Sequence, residues 1–244
     1  MTVKSPHYTE AHAAFRASMH RFVEREIAPH IDAWDEAGTF PRELYVKAAQ
    51  IGLLGLGFDE RYGGTPCDQF MRIVASQELA RAGGGGVSAS LMSHTIGAPP
   101  IARLGSAAMK ERVLPDILAG RKISALAITE PGGGSDVASI RTTARRDGHH
   151  YVVNGAKMFI TSGIRADYYT VAVRTGDTAE TRGKAGISLL LIEKGTPGFT
   201  QSPLKKMGWW ASDTASLAFE DCRVPVENLI GDENQGFAGI MFNF

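Results

Sequence analysis

From Thr9 to about Trp34, Phe15, Met19, Phe22, Val23, Ile27, Ile31 and Trp34 recur at steps of three and four, the spacing of one buried helix face. The pattern predicts a long amphipathic helix. Pro41 suits the start of a second, Leu44, Ala48 and Ile51 continue on one face, and Gly52 supplies the stop. Further helices are predicted over 68–82, over 87–96 up to the break at Pro99 and Pro100, and over 106–118 before Gly120. The first 120 residues therefore read as all helical.

After Arg121, β-branched and aromatic residues gather in short runs with glycines between them. Strands are predicted over 124–129, 141–146, 150–153, 156–161, 168–174, 187–193 and 214–220. Asn154-Gly155 lies between two of them and is a strong hairpin signal. With no helices to make crossovers, the strands suggest an antiparallel barrel or sandwich rather than a parallel sheet. A helix restarts at Asn234, and an unpartnered stub there would expose Phe237, Ile240, Met241, Phe242 and Phe244 as an apolar patch. The expected domains are 1–122, helical; 123–233, a β-barrel; and 234–244, the start of a further helical domain.

Composition narrows the class. At 244 residues, 43% hydrophobic and 21% charged, the chain can build a sizeable core, and disorder is out. Lys plus Arg equals Asp plus Glu at 26 each, so no net field draws the chain to nucleic acid or to an anionic membrane. Cys67 and Cys222 support neither a disulfide framework nor a zinc site, and they fit a reducing, cytoplasmic compartment. The apolar run 187–192 is far short of the roughly 20 residues that a membrane span needs. No secretory signal pattern precedes Thr9.

Several familiar motifs fail in context. Gly132-Gly133-Gly134 and the 52–57 run GLLGLG do not make GxGxxG between a strand and a helix, and no Walker lysine, HExxH or GxSxG is present. His149-His150 beside a predicted turn reads as a solvated pair, and His94 as a satisfied buried histidine.

The segment ITEPGGGSD, 128–136, is different: a strand delivers Thr129, glycines let the backbone approach a ligand, and Ser135 and Asp136 add polar groups. A tight turn whose glycines only supply positive φ is the alternative reading. The second segment, NGAKMFITSG at 154–163, puts Phe159 and Thr161 on one strand face, an aromatic plate beside a hydroxyl, as a flat heterocycle requires.

Together these segments resemble the flavin-binding signature of the acyl-CoA dehydrogenase family. GLLGLGFDERYGG (52–64), LPDILAGRK (114–122), IEKGTPGF (192–199), KMGWWASDT (206–214) and FEDCRVPVENLIGDENQGF (219–237) follow in the family's order. The resemblance implies an α+β multidomain protein: a helical N-terminal domain, an antiparallel β-barrel domain, and a C-terminal four-helix domain absent from these residues. It implies FAD held by Leu126, Ile128, Thr129, Gly134, Ser135, Phe159, Ile160 and Thr161. Ser135 would also meet the pantetheine arm of an acyl-CoA substrate, and Lys184 a CoA phosphate, a solvated loop lysine being the alternative for Lys184.

The implied reaction is α,β-dehydrogenation of the thioester, in fatty acid β-oxidation, with electrons passed to an electron-transfer flavoprotein. The family's catalytic base, a glutamate, is expected beyond residue 244, so no catalytic residue is assigned here, and Glu130 and Asp136 read as loop-forming groups. A homotetramer is expected by resemblance, with no metal. An acyl-CoA oxidase that uses oxygen and a non-catalytic relative that binds nucleic acid are the competing readings; zero net charge speaks against the latter.

Overall fold

Pro29 divides the first helical stretch. It has no N–H to donate and its ring crowds the preceding turn. The chain accordingly runs as α1 (Glu10–Phe22), a π-helical turn (Val23–Ile27), a 3-10 turn (Ala28–His30) and α2 (Ile31–Ala37). The single helix expected over 9–34 is thus corrected. The apolar spacing continues through the break, since Met19, Phe22, Val23 and Ile27 are all buried, and spacing does not register a missing donor.

The computed structural model describes residues 6–176, 181 and 183–241. They divide into two units: 6–92 with 118–121 and 206–212, and 93–117 with the described residues of 122–205 and 213–241. The first unit continues with α3 (Glu43–Gln50), α4 (Gln69–Ala80) and α5 (Gly85–Leu91). Asp68 caps α4, its Oδ1 accepting the Met71 N–H at 2.8 Å, and the same oxygen lies 2.9 Å from His12 Nε2 on α1. Leu44, Ala48, Leu53, Leu54, Val74 and Leu91 form the core of this unit.

The second unit opens with α6 (His94–Gly97), α7 (Pro99–Leu104) and α8 (Ala107–Leu118). Pro99 does not merely break a helix; it begins one, where its missing N–H has no helical partner to lose. The strands are β1 (Ser124–Ala127), β2 (Thr143–Asp147), β3 (His150–Thr161), β4 (Tyr168–Arg174), β5 (Ile187–Glu193), β6 (Phe199–Pro203), β7 (Thr214–Pro225) and β8 (Leu229–Ile230). Their order is β6-β7-β3-β2-β4-β5-β8, with β1 paired to β4.

Two expectations change here. The sheet is mostly antiparallel but is not a closed barrel, since β6 and β8 end the hydrogen-bonded path. It also contains parallel pairing, Ser124↔Tyr168 through Ala127↔Val171. A parallel return needs a long connection, and the β2–β3 hairpin lying between β1 and β4 supplies it without a helix. Central strands β4 and β5 are buried on both faces, with Val171, Val173, Leu189, Leu190 and Leu191 wholly inside.

The hairpin predicted at Asn154-Gly155 is also corrected. The turn between β2 and β3 is at Gly148 (φ +58°), and β3 runs unbroken through 154 and 155. The Asn-Gly pair sits opposite a bulge in β7: Val153 faces Cys222 while Gly155 faces Phe219. Asn154 Nδ2–H donates to Asp221 Oδ1 at 3.0 Å, and the Asp221 N–H donates to Asn154 Oδ1 at 2.9 Å. Gly155 has φ +141°, and a Cβ there would lie 2.7 Å from Thr142 Cα.

The final helix, α9 (Gly236–Met241), packs on β5. Ile240 is fully buried and Phe237 half-buried, so the expected apolar patch is reduced to Met241 among the described residues; Phe242 and Phe244 lie outside them.

Gly155→Ala combines a disfavoured φ with a backbone clash. It should lower the unfolding free energy by about 2 kcal/mol, read as a lower urea midpoint at unchanged slope. A shift below about 0.5 kcal/mol would show that the bulge tolerates a side chain.

Candidate functional site

Lys157 lies at an inward position of β3, two and three alternations beyond Val153 and Tyr151, and is 0% exposed. Its Nζ donates to Ile128 O at 3.0 Å and to Glu130 Oε1 at 2.9 Å. The Glu130 carboxylate also accepts the Arg141 N–H at 2.6 Å and the Thr142 N–H at 2.8 Å. One buried ion pair thus ties the start of the 130–142 loop, its end and the middle of β3 together.

Burial pulls the Lys157 ammonium down to about 8, against the pull of Glu130 in the other direction. Burial raises the Glu130 carboxyl, but hydrogen bonds from Thr142, Lys157 and Arg141 outweigh it and leave the group below its ordinary value. With both oxygens engaged, Glu130 is a structural carboxylate. The sequence reading placed Glu130 in the loop but missed Lys157; a lysine at an inward strand position was the available signal.

Above this knot the chain makes an arch. Glu130 and Gly133 exchange backbone hydrogen bonds of 3.0 and 3.1 Å. None of Gly132, Gly133 and Gly134 has positive φ. A Cβ at Gly132 or Gly133 would meet nothing within 4 Å, whereas at Gly134 it would press on Thr129 Cγ2 at 3.0 Å. The protein itself therefore gives no reason for glycine at 132 and 133. They present bare backbone outward, as close approach of a ligand requires.

Beside the arch, the Met158 N–H donates to Thr129 O at 2.8 Å, which sets Thr129 next to Phe159. Phe159 is 64% exposed and has φ +62°. It belongs to a bulge in β3, because Lys157 faces Leu217 while Ile160 faces Ala215. Ile160 is buried and Thr161 half-buried, so ring and hydroxyl flank an inward residue, although a bulge rather than plain alternation sets the ring. A bulky residue in the left-handed region is strained, and such strain concentrates at functional sites.

Asp213 fixes the turn that follows. Its carbonyl accepts the Ser162 N–H at 2.9 Å, its Oδ2 accepts the Ile164 N–H at 2.7 Å, and its Oδ1 lies 2.7 Å from Arg165 Nε. The sequence reading assigned no role to Asp213.

Of the predicted residues, Thr129, Gly134 and Phe159 come together at the arch, which also carries the exposed Ser135, and Thr161 follows two residues after Phe159 on β3, opposite Thr214. Leu126, Ile128 and Ile160 have buried side chains, so packing accounts for them. Lys184 is exposed on a 3-10 turn (Gly183–Gly186) that packs against another 3-10 turn (Val137–Ser139) just after the arch. A cavity of about 320 Å³ is lined by Glu130, Pro131, Asp136, Ile140, Arg141 and Gly155 with their neighbours. No group of metal ligands and no helix long and apolar enough to cross a membrane occurs among the described residues.

Residues 9–121 match the family model "Acyl-CoA dehydrogenase, N-terminal domain", and 125–222 match "Acyl-CoA dehydrogenase, middle domain". Among curated proteins, the mitochondrial long-chain specific acyl-CoA dehydrogenase of Sus scrofa is 40% identical over 235 residues, covering 96% of this chain and 54% of the relative. The chain therefore spans about half the length of that protein. A probable acyl-CoA dehydrogenase structure from Mycobacterium abscessus superposes with TM-score 0.92 at 50% identity, covering 96% of this chain and 62% of that one. Butyryl-CoA dehydrogenase from Megasphaera elsdenii gives 0.90 at 35%, covering 98% and 63%.

Glu130→Gln should cost about 3 kcal/mol near neutral pH, because it leaves Lys157 buried without its counter-charge. A carboxyl held below its ordinary value contributes stability above the unfolded pKa, and the contribution is lost as pH falls through the folded one. The gap between wild type and variant should therefore narrow in acid, below pH 4.5. Equal stability at pH 7 would contradict the ion-pair account.

Proposed function

The chain belongs to the acyl-CoA dehydrogenase family, and from that premise we propose that it builds the flavin-binding part of an enzyme that desaturates acyl-CoA thioesters between Cα and Cβ. The observation that carries the reading is the exposed ring of Phe159, held at φ +62° beside an arch in which Gly132 and Gly133 have no internal explanation. A flat cofactor with polar edges fits that pairing. FAD held there would supply the acceptor for the hydride lost from Cβ.

The chain's own contribution is to bind and orient. Phe159 offers a face for the ring system to pack on, and the hydroxyls of Thr129, Thr161 and Ser135 offer hydrogen bonds at its edge. The arch backbone allows close approach, and hydrogen-bond donors fixed in advance favour negative charge developing at that edge. Ser135 and Lys184 receive the pantetheine and phosphate portions of the thioester. Glu130 is not the proton acceptor, since both its oxygens are committed; the base expected for the reaction is a glutamate beyond residue 244. Transfer of electrons to an electron-transfer flavoprotein, assembly as a homotetramer and a place in cytoplasmic fatty acid oxidation complete the proposal.

Purified protein should be yellow with noncovalent FAD. Phe159→Ala should weaken FAD binding about tenfold, the value of one aromatic packing contact, when followed by fluorescence titration. Unchanged affinity would remove Phe159 from the site.

Anaerobic titration of the FAD-loaded protein, in a form that carries the expected base glutamate, should bleach the flavin band with at least one member of an acyl-CoA panel. Failure across short, branched and long acyl chains would contradict the dehydrogenase reading.

A further inference from the structure

Arg174 ends β4 with a guanidinium that meets three main-chain carbonyls. Nη2 donates to Ala138 O at 2.7 Å, Nε to Ile140 O at 3.0 Å, and Nη1 to Gly183 O at 3.1 Å. Its backbone N–H donates to Thr142 O at 2.7 Å, which fixes the residue beside the start of β2. Ala138 and Ile140 belong to the turn that follows Ser135, and Gly183 opens the turn that carries Lys184. The two turns are distant in sequence, and one side chain spans both.

We infer that Arg174 is a positioning residue for the CoA arm of the thioester: it locks the Lys184 turn against the turn after Ser135 and makes one rim of two loops. The inference rests on the proposed roles of Ser135 and Lys184. A guanidinium carries five N–H donors in a fixed plane, so it can hold acceptors on two segments at once. A lysine at the same place keeps the charge but is a point donor on a flexible stem. Ordering the rim before the ligand arrives removes that ordering cost from binding, so the gain appears as affinity for a phosphate-bearing ligand. The geometry also separates two roles that charge alone would confuse. If Arg174 attracted the anion directly, Arg174→Lys would preserve binding; if it acts through Lys184, the same variant loses it.

The test uses FAD-loaded protein, free CoA as the probe, and the variants Arg174→Lys, Lys184→Ala and the double variant. Arg174→Lys should accelerate amide hydrogen exchange about tenfold at residues 183–186 while β5 stays protected. In calorimetry it should weaken CoA binding about tenfold, and this effect should vanish in the Lys184→Ala background, because coupled residues are non-additive. Wild-type CoA affinity in Arg174→Lys overturns the inference. So does an equal loss with and without Lys184, which would mark a general structural role. If wild type binds no CoA while exchange at 183–186 still responds to Arg174→Lys, the clamp exists but the CoA reading fails, and the inference falls with it.

Discussion

A lysine ammonium shut away from water needs a counter-charge and hydrogen-bond acceptors, and the Lys157–Glu130 pair meets that constraint for the second unit. The consequence reaches beyond stability. Once Glu130 must lie at Lys157, its remaining acceptor capacity draws in the amides of Arg141 and Thr142, and the ends of the 130–142 loop are fixed. What lies between those ends, the glycine arch and Ser135, is then presented from a rigid base. The loop can stay open to a ligand without being loose at its roots.

Strain and burial are distributed to suit this. The doubly buried strands β4 and β5 form the stiff centre, whereas Phe159 takes an unfavourable backbone conformation on a bulge near the arch. The bulge is held from both sides, by Lys157 before it and by Asp213 just after it. An exposed phenylalanine with φ +62° persists only where its surroundings over-determine it. That arrangement orients an aromatic plate before any partner arrives.

Legibility in the sequence followed the range of the interaction concerned. The bounds of β4 and β5 were read correctly because strands buried on both faces are continuous apolar runs between breakers. Asn154-Gly155 misled because a hairpin and a bulge use the same residues, and only the partner strand β7 decides between them. Parallel pairing of β1 was invisible for a similar reason: it depends on where the β2–β3 hairpin delivers the chain. At the site, the glycine run and Phe159 stood out by type and spacing. Lys157 showed only as a lysine at an inward strand position, its partner lying in the distant 128–130 segment, and Arg174 binds carbonyls, which leave no trace in side-chain pattern. Pro29 was legible and outweighed by a strong three-four spacing.

The most direct test of the account is a crystal structure of the protein grown with FAD. The account predicts the flavin ring in van der Waals contact with Phe159, its polar edge hydrogen-bonded to the Thr129 to Ser135 arch, and the Lys157–Glu130 contact unchanged. A flavin bound elsewhere, or an arch that must break that contact to receive it, would contradict the claim that the buried pair preorganises the site.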